Sequence, residues 1–233
     1  MKVWIAPAVL LFLFVLTFSA PEFAQDSAQK DASSSSSSSR STKSPKAAAK
    51  PALDDGKVSA GIYRNASLGL TCKIPAGWVL RTVEMNARDS DEQQNSSPQG
   101  SQSSTGESNS GRVLLSAFSR PPEAKGEDVN ASIVIAAEPV EAYPGLTEAL
   151  QYVGPLTEVA KAQGFRADED PYEVAIGPKT LVQVDFHKDV GSRVMRQSTL
   201  IFLARGYAVS ITVIGGTEDE VGDLVDGISF SAK

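Results

Sequence analysis

The sequence predicts an α+β domain: an antiparallel β-sheet meander covered by helices. Three observations carry the prediction. Stretches of alternating apolar and polar residues recur from Gly61 to Ile214, separated by short turns. One amphipathic helix pattern falls in their midst, at Thr147–Gln163. A second helix pattern follows the last of them, after Gly216. Strands, a helix, a meander of strands and a closing helix give an antiparallel sheet with helical cover.

The elements follow in order. Leu68, Leu70, Cys72 and Ile74 alternate with Gly69, Thr71 and Lys73, the period of a half-buried strand in a hairpin spanning Gly61 to Ile74. Pro75-Ala76-Gly77 then turns the chain into Trp78. Arg112–Arg120 and Ala131–Glu138 are predicted strands on either side of the Pro121-Pro122 break. In Thr147–Gln163, Ala149, Val153, Leu156 and Ala160 form one apolar stripe, and Gly164 stops the helix. Gly154-Pro155 interrupts that stripe, so a kink or two shorter helices are expected there. Four strands follow: Tyr172–Ile176, Thr180–His187, Arg193–Leu203 and Tyr207–Ile214. Leu200–Leu203 is apolar on both faces, the mark of a central strand. Thr217 and Glu220 form a capping box at the start of the last helix, whose apolar stripe is Val221, Leu224, Val225 and Ile228.

What precedes and interrupts this domain is different in kind. Lys2 leads into an apolar run from Val3 to Ala20, the pattern of an export signal, assigned to residues 1–24. Pro21, Glu22 and Asp26 make a poor cleavage site. An uncleaved anchor through residues 3–20, attaching the protein to a membrane, therefore stands beside a cleaved signal peptide. No cysteine follows the run at the place a lipoprotein requires. Residues 25–60 are a Ser/Ala/Lys/Pro-rich tether, with an unbroken serine run from Ser33 to Ser39 and too little apolar surface to offset the entropy of ordering. A second low-complexity stretch, Asn86–Gly111, is expected to be a disordered insert within the domain 61–233.

The formal net charge of the 233-residue chain is -6. The tether carries Lys30, Arg40, Lys43, Lys46 and Lys50, so the acidic excess belongs to the domain, which argues against nucleic-acid binding. Cys72 is the only cysteine, so no intramolecular disulfide forms.

Tyr63-Arg64-Asn65, Leu68-Gly69-Leu70 and Ile74-Pro75-Ala76-Gly77-Trp78 together resemble the opening of PsbP-like domains. The strand Tyr207–Ile214, the short acidic helix and Ile228-Ser229-Phe230 are similar to that family's ending. The resemblance covers most of Gly61–Lys233 apart from the Asn86–Gly111 insert. It implies an α/β/α sandwich and a mostly non-enzymatic role, as in photosystem accessory subunits, a Ran-binding regulator and bacterial envelope proteins. The histidines proposed to bind metal in photosynthetic members have no match, because His187 is the only histidine. A shared fold does not pass on a function.

No catalytic set, cofactor motif or metal-ligand spacing is legible. His187 shares strand parity with Gln183 and Asp185 and is expected to be an exposed strand-end residue with no nucleophile near it in sequence. Cys72 falls on the apolar face of its strand. Asp168-Glu169-Asp170 and Glu218-Asp219-Glu220 lack the spacing of a calcium loop, and Gly215-Gly216 is followed by acid rather than by Lys-Ser/Thr. Asn65-Ala66-Ser67, Asn95-Ser96-Ser97 and Asn130-Ala131-Ser132 fit the N-glycosylation triplet. The expected function is an exported, non-catalytic interaction or accessory module, with Trp78 and His187 as candidate contact residues and an unknown envelope protein as partner. The alternatives are a carrier of a small apolar ligand, in which Phe118, Tyr143, Tyr152 and Phe165 line a pocket, and a hydrolase centred on His187.

Overall fold

The computed structural model describes residues 53–88, 111–126 and 128–232. The export signal, the tether as far as residue 52, the Asn95 triplet and residues 89–110 of the insert lie outside the described residues. Two boundaries move. Leu53 is already part of the core, and the first strand, β1, is Lys57–Ser59, so the folded chain begins before Gly61. At the insert, residues 82–88 are helical (α1), which takes Asn86 into the domain.

β1 turns through Ala60 and Gly61, both at positive φ, into β2, Ile62–Asn65. Such a two-residue turn matches the twist of the strands it joins, and Gly61 supplies one of its left-handed positions without strain. β3, Leu70–Lys73, pairs with β2, and the C-terminal strand β12, Ile228–Phe230, pairs antiparallel with β3 through Ile228 opposite Cys72. These four strands form a small sheet in the order β1-β2-β3-β12.

The larger sheet has eight strands: β4, Val79–Leu80; β5, Arg112–Phe118; β6, Ser132–Pro139; β7, Arg166–Ala167; β8, Tyr172–Ile176; β9, Lys179–Val190; β10, Arg193–Ala204; and β11, Tyr207–Gly215. Their order is β4-β5-β6-β11-β10-β9-β7, with β8 also on β9, and every pairing is antiparallel. The meander β9–β10–β11 is as predicted, each strand slightly longer than its apolar pattern. Arg205 and Gly206, both at positive φ, close the β10–β11 hairpin.

Helix α2, Ala149–Ala162, covers one face of this sheet at β9 and β10, where Tyr152, Val153 and Ala160 meet Val182, Val184, Phe186 and Ile201. Helix α3, Glu218–Asp226, shares the opposite face with the small sheet. There Leu70, Cys72, Leu224, Ile228 and Phe230 pack on Leu200, Phe202, Val209, Ile211 and Val213. The molecule is mostly antiparallel sheet with few helices. One outer layer is itself largely sheet, which the expected α/β/α layering did not separate. β10 is the central strand its two-sided apolar run predicts. Leu200, Ile201 and Phe202 are all buried, each worth about 1.5–3 kcal/mol relative to exposure.

Pro155 lies inside α2 and does not divide it: the helix is one continuous element. The missing N–H at Pro155 deprives the Gln151 carbonyl of its helical partner, at a residue on the exposed side of the helix. At the start of α2 the Gln151 side chain accepts the N–H groups of Thr147 and Glu148 at 2.7 and 3.1 Å. In α3, Thr217 caps Glu220 N–H at 3.1 Å. The Glu220 carboxylate accepts from Gly216 N–H at 2.7 Å, one residue before the position expected of a capping box.

Candidate functional site

Strand parity on β9 sets Gln183, Asp185, His187 and Asp189 on the face that α3 and the small sheet cover further along. Their cross-strand partners on β10 are Leu200, Ser198, Arg196 and Val194. The face thus changes along the strand from apolar core to a polar end. β7 brings Arg166 opposite His187, and the Asp168 N–H donates to the Asp185 carbonyl at 2.9 Å, holding the Asp168 side chain beside the imidazole.

His187 is the centre of this end, with its side chain 28% exposed. Arg166 Nε donates to His187 Nε2 at 3.3 Å, so that nitrogen presents its lone pair. The proton therefore sits on Nδ1 and is donated to Asp168. Arg166 also pairs with Asp189, and Arg196, directly opposite His187, pairs with Glu218 at 3.0 Å. Tyr172 donates its hydroxyl to Asp185 at 2.7 Å. Burial and that neighbouring carboxylate both push the phenol up. Arg166, Arg196 and Tyr172 are not among the candidate residues legible in the sequence; the register of β7, β8 and β10 against β9 brings them in, and no local pattern announces it.

Both ring nitrogens of His187 have partners, Asp168 at Nδ1 and Arg166 at Nε2. On β10 the hydroxyl opposite Asp185 is that of Ser198, which is 1% exposed. Cys72 is 0% exposed, and burial pushes its thiol up to about 12. Asp168 is occupied by His187, and the Gly216 N–H that a phosphate would need is taken by Glu220. Among the described residues no group of three or more His, Cys, Asp or Glu is placed to hold a metal ion, and no helix is long and apolar enough to cross a membrane.

The remaining candidates divide. Trp78 is half-buried against the larger core, away from His187. Tyr143, Tyr152 and Phe165 do converge, but as core: Tyr143 and Tyr152 meet edge to face at 5.1 Å between centroids, with Phe165 buried in the same cluster. Phe118 belongs to neither buried cluster. Beside these tyrosines lies Glu138, at the end of β6 and 8% exposed, which the sequence reading did not single out. Tyr143 donates to its carboxylate and Tyr152 hydrogen-bonds it as well. Desolvation holds the carboxyl above its usual range, although both phenols act in the other direction.

Two of the glycosylation triplets are bound into the fold. Asn130 donates to the Arg120 carbonyl at 3.0 Å and accepts from Arg120 N–H and the Ser119 hydroxyl. Asn65 is 0% exposed, and its Nδ2 donates to the Asp54 carbonyl at 2.7 Å. Neither amide nitrogen is available to a glycan in the folded domain.

No family model and no curated protein matches the chain. Solved structures similar to it include the cyanobacterial PsbP protein CyanoP from Synechocystis sp. PCC 6803, at 15% identity and a TM-score of 0.43, covering 76% of this chain and 96% of that one. LpqN of Mycobacterium tuberculosis, described as involved in cell envelope biogenesis, has 13% identity and a TM-score of 0.34 over 70% of this chain and 83% of its own. A point mutant of Mog1 has 12% identity and a TM-score of 0.35 over 68% and 79%. Likenesses this distant carry no argument about what the chain does, and no family membership follows from them.

Proposed function

We propose that the domain is a non-catalytic interaction or accessory module, exported on its N-terminal signal and acting on the outer side of a membrane. The observation that carries the reading is the commitment of His187, the chain's only histidine, to Asp168 and Arg166. That geometry supports a recognition surface over a general base. The contact region is the polar end of β7, β9 and β10, where Arg166, Asp189, Arg196 and Glu218 offer both charges in fixed positions. Mixed, spatially fixed charge suits a protein partner and confers specificity and encounter rate more than raw affinity. The packing of Tyr143, Tyr152 and Phe165 within one core cluster is what core side chains do and gives no support of its own to the ligand-carrier alternative.

The test is photo-crosslinking from position 189 of the full-length protein in intact cells. One dominant protein adduct, lost in an Arg166→Glu, Arg196→Glu variant that still folds, is expected. An exported and folded protein that yields no specific adduct would sink the proposal.

A further inference from the structure

The described chain opens with a segment that has no regular secondary structure, residues 53–56, yet is held by side chains of the domain at each of its first three carbonyls. Three successive main-chain carbonyls each accept from a side chain of the domain: Leu53 from Arg112, Asp54 from Asn65 at 2.7 Å, and Asp55 from the Tyr63 hydroxyl at 3.0 Å. The Asp54 carboxylate takes the N–H groups of Gly56 and Ser67, both at 2.8 Å, and the Asp55 carboxylate pairs with Arg112 at 3.0 Å. Asn65 is itself fixed by accepting from the Ser67 hydroxyl at 2.7 Å and from Leu68 N–H at 2.9 Å. The Leu53 side chain is buried in the larger core. Gly56 crosses directly over the Tyr63 ring at positive φ, where a Cβ would lie 2.5 Å from the ring carbon Cε2. The next three residues are β1, which adds to the edge of β2 with Lys57 opposite Arg64 and Ser59 opposite Ile62.

This is the geometry by which domains recognise an extended peptide: a strand added to a sheet edge, main-chain carbonyls held by donors, and one side chain in an apolar pocket. Donors aimed at carbonyls read backbone, whereas the Leu53 pocket and the Asp54 and Asp55 partners read sequence. We propose that the β2 edge, with Tyr63, Asn65, Ser67 and Arg112, is a peptide-binding site for an extended Leu-Asp-Asp-Gly segment. In this structure it is occupied in cis by residues 53–59 of the same chain. The occupant is continuous with the tether, so the site fixes where the tether joins the domain and is closed to other peptides while the strap is seated. The proposal is independent of any partner at His187.

The test uses the full-length protein with a protease recognition sequence inserted in the β1–β2 turn, between Ala60 and Gly61. After cleavage, the N-terminal fragment should stay with the domain through gel filtration and be displaced by a synthetic peptide of residues 51–60. An Asn65→Ala, Arg112→Ala variant should lower retention at least about tenfold, the loss of roughly 1.4 kcal/mol of binding. Three outcomes overturn the proposal. The fragment is lost while the rest keeps its circular dichroism, which leaves no binding site. The rest unfolds on cleavage, which makes the strap an inseparable part of the core. Or the fragment is retained but does not exchange with millimolar peptide.

Discussion

Replacing Asn65 by alanine tests how the domain begins. The side chain makes four hydrogen bonds: two from Nδ2, to the Asp54 carbonyl and the Tyr63 hydroxyl, and two to Oδ1, from the Ser67 hydroxyl and Leu68 N–H. Tyr63 only accepts from Asn65 and keeps its own bond to the Asp55 carbonyl, and the Ser67 hydroxyl, which also accepts from Asp54 N–H, can turn its proton to another acceptor. The Leu68 N–H and the Asp54 carbonyl have no such freedom, and each main-chain group stripped of its partner in a buried place costs about 1–3 kcal/mol. The expected loss for Asn65→Ala is therefore about 3 kcal/mol. For a domain of about 170 residues that is a fall of roughly 6–12 °C in Tm. Urea unfolding followed by circular dichroism and tryptophan fluorescence measures it, with the slope of the transition checked so that a change in midpoint is a change in stability. Asn65→Asp sharpens the test. The carboxylate retains both acceptor contacts but loses the donor to Asp54 and places charge against that carbonyl, so it should be at least as damaging at pH 7. A loss below about 0.5 kcal/mol for alanine, the range of an ordinary surface change, would refute the reasoning.

Glu138 gives a pH dependence whose sign is fixed by its environment. Burial raises its folded pKa above the unfolded value, so the native state binds more protons between the two and stability falls as pH rises through that window. Glu138→Gln should flatten the slope of stability against pH above about 4.5, the unfolded carboxylate range, in urea midpoints taken from pH 4 to 8; parallel slopes for the two proteins refute it. Cys72, sealed between the small sheet and the larger one, should be inert to a thiol reagent in the native protein at pH 8 and react fully in urea. Native-state reaction on the time scale of a free thiol is the contrary result. His187→Ala removes a partly exposed contact with Asp168 and should change stability by less than about 1 kcal/mol in the same denaturation experiment. A loss above about 2 kcal/mol would show the ion pairs to be structural rather than a surface.

The meander and its two helices were legible because their residues state their burial locally. Val182, Val184 and Phe186 alternate, Leu200–Leu203 is apolar throughout, and Thr217 caps the helix it was read to cap. What escaped depends on partners far along the chain. β1 is exposed at all three residues and has no apolar alternation; it is a strand because Tyr63 and Arg64 lie opposite. Asn86 sits in a polar stretch that reads as disordered, yet its amide accepts from Val113 N–H at 2.9 Å and donates to the Val113 carbonyl at 2.8 Å. At the polar end the histidine and Asp185 were visible on one strand face, but not that Arg166 and Asp168 converge on the histidine. Arg166 and Asp168 reach it only through a two-residue strand that no periodicity can signal. Asn65 looked like a modification triplet because the sequence shows its type and not its burial.

The edges of the two sheets explain why strand addition is concentrated where the strap sits. At β5, Arg81 N–H donates to the Ser116 carbonyl at 2.9 Å, Thr82 Oγ1 accepts from Ser116 N–H at 2.9 Å, and Asn86 takes both main-chain groups of Val113. The chain leading into α1, and α1 itself, thus act as a row of caps that spend the hydrogen bonds another strand would need. β9 is covered along its outer side by β8 and then by β7. The end of β12 is approached by the β8–β9 turn, where a Cβ on Gly177 would lie 3.3 Å from the Phe230 carbonyl. The β2 edge is treated differently: a short, fully exposed strand lies on it, held at its leading end by side chains rather than by a longer ladder. A three-residue ladder with one lysine is a weak register on its own. The carbonyl grip at residues 53–55 supplies the register that the ladder lacks. It also sets the direction of the molecule: Arg205 donates to the Ser67 carbonyl beside the strap, and at about 3.3 Å per residue along β10 this end lies roughly 30 Å from Arg196 and the His187 cluster. The strap and the mixed-charge surface thus lie toward opposite ends of β10.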